Sequence, residues 1–181
     1  MAIESYSLFG QETLKNFGYL SKMPPTIAEA FRNGLIPSLD GGNLLHYLSD
    51  FRPTYPDFQQ WLNGKVLPEV SKNPDQREVI LPLSPDRKVA VGFAIVKNTF
   101  DEKKICSFYI LPQYQHLGYG STLMEECFRY LGTTTPLITM PERCKKLFEG
   151  LLRKYRFEFV HELSDYYSDG NTEYVFNGIL K

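Results

Sequence analysis

The sequence predicts an α/β fold built on a mixed, largely antiparallel sheet with helices on both faces. Three observations predict it. After about residue 75, apolar runs with strand character follow one another across short turns. Two amphipathic runs then alternate with strands, giving a strand–helix–strand–helix crossover. Before residue 75, apolar residues recur at helical spacings among many turn residues.

Taken in order, "IESYSLF" near the start reads as a strand. "TIAEAFRNGL" carries Ile27, Ala30, Phe31 and Leu35, and "GNLLHYLSDF" carries Leu44, Tyr47, Leu48 and Phe51, both at helical spacing. "PDFQQWLNGKVLPEV" adds Phe58, Trp61, Leu62 and Val66, with Pro68 expected to end or kink that helix. "REVILPLS" and "KVAVGFAIVKN" flank the turn-rich "PDR" and read as a hairpin, and "KKICSFYIL" follows across "NTFDE". The run 120–131 sets Leu123, Met124, Cys127, Phe128 and Leu131 on one helical face. "PLITM" is a short buried-type strand. "PERCKKLFEGLLRKY" is an amphipathic helix whose stripe is Cys144, Leu147, Phe148, Leu151, Leu152 and Tyr155, opened by Pro141 and Glu142. "FEFVHEL" and "EYVFNGIL" close the chain as two strands around the turn signal "SDGN".

A chain of 181 residues, 43% hydrophobic and 23% charged, is ordinary globular material for one domain with a real core. Its formal charge of −1 gives no general attraction to nucleic acid or to an anionic membrane. No apolar stretch reaches the length of a membrane span, and "MAIESYSLFG" lacks the basic start and apolar run of a secretory signal. A cytoplasmic location without membrane partners is the expectation. Cys106, Cys127 and Cys144 are far apart, as are His46, His116 and His161, so no metal site is expected and the thiols read as small buried hydrophobes.

The stretch that carries chemistry is "LPQYQHLGYGSTLMEECFRYL", in which a strand runs into a helix through Gly118 and Gly120. A helix start presents unpaired backbone amides and the positive end of the dipole, and glycines let a phosphate reach them; a tight turn that merely tolerates positive φ explains the spacing equally well. The lysine of a Walker loop is missing after Gly118, and Leu123 stands where a dinucleotide fingerprint needs its third glycine.

"ILPQYQHLGYGSTLM" resembles the acyl-CoA signature of the Gcn5-related N-acetyltransferase (GNAT) family, whose core is Q/R-x-x-G-x-G/A; Gln115, Gly118 and Gly120 match it. The order of elements from Val79 to Asn177 is similar as well. The resemblance implies an acyl-CoA N-acyltransferase-like fold with acetyl-CoA as co-substrate and no metal. It also implies an acetyltransferase activity, an acyltransferase reaction moving acetyl from the thioester to an amine by direct attack. On that reading residues 1–181 form one GNAT-type domain, with 1–75 a helical acceptor-side segment and 76–181 the acetyl-CoA-binding core. The amides of His116, Leu117, Gly118, Tyr119, Gly120 and Ser121 would hold the diphosphate. The backbone of Phe108, Tyr109 and Ile110 would pair with the pantetheine, and Pro112 would stand where that strand leaves its neighbour. Trp61, Tyr47 and Phe51 are expected to wall the acceptor pocket.

The match weakens at the acid that protonates the departing thiolate. The family's usual tyrosine precedes a G-F pair, and here Leu152 and Arg156 occupy the tyrosine and glycine positions before Phe157. Tyr155, one turn along the same face, is the nearest substitute and equally completes a core stripe; Tyr166 and Tyr167 are further cleft candidates. Glu142 stands near where relatives place a base for the amine and is equally a helix-start acid. Cys144 lacks a local His or Asp to make it a nucleophile. Arg143, Lys145, Lys146, Arg153, Lys154 and Arg156 read first as a solvated face; Lys145 or Lys146 could meet a phosphate of coenzyme A, and the cluster leaves an aminoacyl-tRNA acceptor open, as in toxin-type acetyltransferases. A small-molecule or peptide amine, a homodimer, and a non-catalytic acyl-CoA-binding or sensor module stay open beside it.

Overall fold

The computed structural model describes residues 16–180, so the strand expected at 3–9 lies outside the described residues. In chain order the strands are β1 (Phe17–Tyr19), β2 (Leu35–Ile36), β3 (Leu45–His46), β4 (Arg77–Pro82), β5 (Gly92–Asn98), β6 (Lys103–Ile110), β7 (Leu137–Pro141), β8 (Phe159–Ser164) and β9 (Thr172–Phe176). The helices are α1 (Pro25–Arg32), α2 (Leu48–Phe51), α3 (Phe58–Trp61), α4 (Leu67–Lys72), α5 (Tyr119–Leu131) and α6 (Lys145–Lys154).

Local chemistry explains the helical first part. Proline in the first turn of α1 presets its φ. The helix stops at Gly34, whose φ of +76° and the Leu48 Cδ1 that a Cβ would meet at 2.2 Å both demand glycine. The chain then folds back as the β2–β3 ribbon, and the Tyr47 N–H donates to the Gly34 carbonyl at 3.1 Å. The helix expected over 42–51 therefore forms only at Leu48–Phe51, because the backbone before it is committed to the ribbon. Pro68 does not end its helix. Leu67 N–H reaches the Leu62 carbonyl, one residue beyond the α pattern, in a π turn over Leu62–Val66 that joins α3 to α4. The widened turn absorbs the donor that Pro68 lacks.

The main sheet has seven strands in the order β1-β4-β5-β6-β7-β9-β8. Every neighbouring pair is antiparallel except β6 and β7, which run parallel because α5 carries the chain across the face between them. Strand residues alternate between two apolar layers. Val79, Leu81, Phe93 and Ile95 meet the 20–70 helices on one face, while Ile80, Ala94, Val96, Ile105, Ile138 and Phe176 meet α5 and α6 on the other.

The first layer is organised by aromatic rings. Phe93 of β5 lies 4.7 Å from Tyr47, 5.1 Å from Phe31, 5.6 Å from Phe51 and 5.6 Å from Tyr109, measured between ring centroids. Tyr47 is fully buried there and its hydroxyl donates to the Phe31 carbonyl at 2.8 Å. This corrects the expectation that Tyr47 walls a pocket: with its polar atom satisfied inside the core, it is a packing residue. Phe93→Ala removes the ring that the others share, and the expected cost is about 3–5 kcal/mol in denaturant unfolding; a loss below about 1 kcal/mol would show that the nest does not carry the helical layer.

Candidate active site

The site begins where the sheet comes apart. Strands β6 and β7 pair only at Lys104 with Leu137 and at Ile105 with Ile138. At the next residue the β5–β6 register shifts: Ile95 opposes Ser107 while Val96 opposes Ile105, which leaves Cys106 as the extra residue of a β-bulge. The bulge bends β6 away from β7, and the strands diverge toward their C-terminal ends. The parting thus starts at Cys106, well before the expected Pro112, which opens the turn after β6.

A cleft of about 440 Å³ fills the gap, a volume suited to a small-molecule ligand. Its walls are Ser107–Ile110 of β6, Ile138–Pro141 of β7, and the apolar stripe Leu147, Phe148 and Leu151 of α6. Leu147 is 49% exposed, an apolar side chain left uncovered along the cleft wall. Phe108 and Phe148 meet edge-to-face across it at 5.7 Å.

One end of the cleft is the start of α5. Gln115 donates from Nε2 to the Ile110 carbonyl at 3.0 Å and so fixes the turn against the end of β6. His116 (φ +61°) and Gly118 (φ +92°) are both left-handed, a backbone pattern that forms anion-binding concavities. Helical bonding starts with Thr122 N–H to the Gly118 carbonyl at 3.2 Å, and no side chain caps the helix. The amides of Tyr119, Gly120 and Ser121 precede that bond, at the positive end of a 13-residue helix. Gly120 has no positive φ and a Cβ on it would meet nothing within 4 Å, so nothing in the chain itself demands glycine there. What a side chain at Gly120 would occupy is cleft. The residues therefore fit a diphosphate held by backbone amides.

Of the residues expected to bind cofactor, Phe108, Tyr109, Ile110, Gln115, His116 and Gly120 line the cleft; Leu117, Gly118, Tyr119 and Ser121 belong to the same turn without lining it. The two residues expected to be catalytic stand apart from it. Tyr155 donates to Glu125 Oε1 at 2.6 Å and lies 3.1 Å from the Ser121 carbonyl, which ties α6 to the first turn of α5. Burial and the Glu125 carboxylate raise its pKa. Glu142 is exposed and receives the Tyr174 hydroxyl at 3.4 Å. Lys145 lies 4.3 Å over the Tyr174 ring. Burial raises the Cys144 thiol, which keeps it protonated.

A second cleft, of about 620 Å³, opens on the face covered by the 20–70 helices. It shares Tyr55, Cys106, Ser107 and Thr139 with the first, so the two meet at the bulge. Trp61, Tyr166 and Tyr167 line it, while Phe51 lines the first cleft. Beneath the junction sits Glu173 of β9, a residue sequence reasoning missed. It is 1% exposed and accepts the Tyr55 hydroxyl at 3.0 Å on Oε1, while its buried Oε2 has no hydrogen-bond partner among the described residues. Burial pushes its pKa up to about 7, against the pull of Tyr55, Lys104 and Arg143. The signal was present in "TEYVF": with Tyr174 and Phe176 on the α5–α6 face, Glu173 and Val175 must face the other layer.

The family model "Acetyltransferase (GNAT) family" matches residues 44–135, slightly more than half of the chain. Among solved structures, a protein from Desulfovibrio desulfuricans described as a GNAT-family acetyltransferase is 14% identical with a TM-score of 0.57, covering 88% of this chain and 95% of its own. Nourseothricin acetyltransferase is 14% identical with a TM-score of 0.56 over 89% and 96%. Ard1 from Thermoplasma volcanium is 17% identical with a TM-score of 0.53 over 89% and 95%. At such identities the likeness is one of fold. No curated protein matches the sequence closely enough to count as a relative.

Glu173 makes stability depend on pH in a defined direction. The unfolded chain releases this proton near 4.5, the folded chain only near 7. Between those values the unfolded state binds fewer protons, so unfolding free energy falls as pH rises, by about 3 kcal/mol in all, and this contribution is flat above about pH 7. Urea unfolding of Glu173→Gln is expected to lack that fall and to leave the variant more stable than the parent at about pH 8; an equal fall in both proteins would contradict the buried, raised carboxyl.

Proposed function

The chain belongs to the acetyltransferase (GNAT) family, and from that premise we propose that it is an acetyl-CoA-dependent N-acetyltransferase working on an amine acceptor. One observation carries the reading: a single cleft runs from the uncapped amides of α5 through the parted strands to the junction at Tyr55. The chain acts as one domain, with 1–75 shaping the acceptor side and 76–181 holding the co-substrate. A cytoplasmic address suits the reading; among the described residues no helix is long and apolar enough to cross a membrane.

Bound acetyl-CoA supplies an acetyl group on a thioester. The amides from His116 to Ser121 hold its diphosphate, with Gly120 allowing close approach. The edge of β6 from Ser107 to Ile110, which has no strand opposite it in β7, offers backbone groups to the pantetheine. Leu147, Phe148 and Leu151 exclude water along that arm.

The amine must lose a proton to attack. The Tyr55 hydroxyl lines both clefts and is the group that meets it. As Tyr55 oxygen takes the amine's proton, its own proton passes along the 3.0 Å hydrogen bond to Glu173 Oε1. A carboxylate with a pKa near the working pH is suited to receive it, and no net charge remains on the tyrosine. Tyr155, bonded to the Ser121 carbonyl and Glu125, holds the diphosphate turn in shape.

Two measurements test this. Acetyl-CoA is expected to raise the melting temperature of the parent and not of Gly120→Val, whose own melting temperature changes little because its side chain enters open space. With an accepted amine, thiol release should rise with pH to a plateau through an inflection at about 7, and Tyr55→Phe and Glu173→Gln should each lose about a hundredfold in kcat together with that inflection. A melting shift with no thiol release from any amine would make the chain a binding module, and no shift at all would remove the proposal.

A further inference from the structure

The second cleft carries a row of cations that the chemistry above does not use. Arg77 of β4 stands opposite Lys97 of β5, and Lys97 stands opposite Lys104 of β6, so three positive residues cross three adjacent strands in register. All three line the cleft. Like charges directly opposite one another in a sheet are unfavourable, and two of these are neutralised: Arg77 by Glu69 at 2.8 Å and Lys97 by Glu102 at 2.6 Å. Lys104 is 8% exposed, and among the described residues no carboxylate pairs with it within ion-pair distance. It lies near enough to Glu173 for its charge to act there, two residues before the bulged Cys106 where the clefts meet. Lys104 is buried but for the cleft it lines, so an anion bound in that cleft can reach its ammonium without displacing a carboxylate already paired with it.

Resting on the acetyltransferase reading, we infer that the acceptor is an amino acid with a free carboxylate and an apolar side chain, its amine at Tyr55, its carboxylate on Lys104 and its apolar body among the rings of Phe58, Trp61 and Tyr167. Asp57, Asp101 and Glu102 also line the cleft, so a polycationic amine is disfavoured at Lys104 itself and not by the cleft as a whole. An acceptor lacking an anion would add no ion pair to Lys104. The spacing suits a molecule in which amine and anion are a few bonds apart, because Lys104 stands two residues before Cys106, where the clefts meet.

The test is binding, measured by calorimetry on the whole chain saturated with coenzyme A. The ligands are tryptophan and phenylalanine, their primary amides, tryptamine, phenethylamine and phosphoethanolamine. The acids are expected to bind about tenfold more tightly than the amides or decarboxylated amines, and Lys104→Met to remove that preference while Lys104→Arg keeps it. Lys104→Met also relieves repulsion from Lys97, so its melting temperature should not fall. Equal binding of acid and amide, tighter binding of phosphoethanolamine, no binding of any acid, or a preference that survives Lys104→Met would each overturn the inference. Acids that bind through Lys104 but release no thiol from acetyl-CoA would overturn their role as acceptors, while the transferase reading would stand or fall on thiol release with other amines.

Discussion

A backbone that leaves its ladder must find other partners, and β6 leaves its ladder with β7 at Cys106. Two paired positions hold the strands together, then an extra residue in β6 turns the remaining edge toward empty space. Buried N–H and C=O groups without partners cost a few kcal/mol each, so such an edge persists only next to water or a ligand. The surroundings are built to keep it open. Gln115 satisfies the Ile110 carbonyl from its side chain. Phe51 of the helical layer and Phe93 of β5 brace the Tyr109 ring of the same strand. Gly92 lets β5 come close: a Cβ there would meet the Tyr109 carbonyl oxygen at 2.2 Å.

The gap also sorts the molecule's charges. On the side of α5 and α6 the cleft runs along Leu147, Phe148 and Leu151 and ends at helix-start amides that no side chain among the described residues caps, an arrangement that suits a ligand with an anionic head. On the side of the 20–70 helices it opens among tyrosines, a raised carboxyl and a row of cations, an arrangement for a small polar molecule that exchanges protons. Among the described residues, Tyr55, Cys106, Ser107 and Thr139 belong to both. Two ligands entering from opposite faces can therefore meet in one place, which is how a transfer between them gains its effective concentration.

Legibility followed the range of the interaction. The Gly118–Gly120 hinge, the helix of Met124 and the stripe of α6 depend on residues within a few turns of one another, and periodicity reveals them. The interrupted helix over 42–51 was hidden because its apolar spacing is truly helical, while the ribbon that breaks it depends on Gly34 and Leu35, a loop away. Glu173 was hidden for a similar reason. An acid in "TEYVF" becomes significant only once β9 is known to pair with β7 and to turn that face toward Tyr55, 118 residues away in sequence. Tyr155 shows the converse. Helical phase places it correctly on the α6 stripe, but phase does not show that its hydroxyl leads to Ser121 and Glu125 instead of the cleft.

Glu173 and Lys104 share a further property that separates function from folding. Glu173 keeps a buried carboxylate oxygen without a partner among the described residues and Lys104 is nearly buried beside the cleft it lines, positions that stability alone would give to apolar residues. They sit on β6 and β9, on either side of β7, and the charge of Lys104 offsets burial at Glu173 only partly, since burial still raises the Glu173 pKa. The aromatic nest beside them supplies the surplus: rings such as Tyr47 and Phe31, fully buried with the Tyr47 hydroxyl satisfied, stabilise the layer that holds Tyr55 in place. Strain concentrated at one point and compensated by a well-packed neighbour is the arrangement expected when the strained point is where ligands bind.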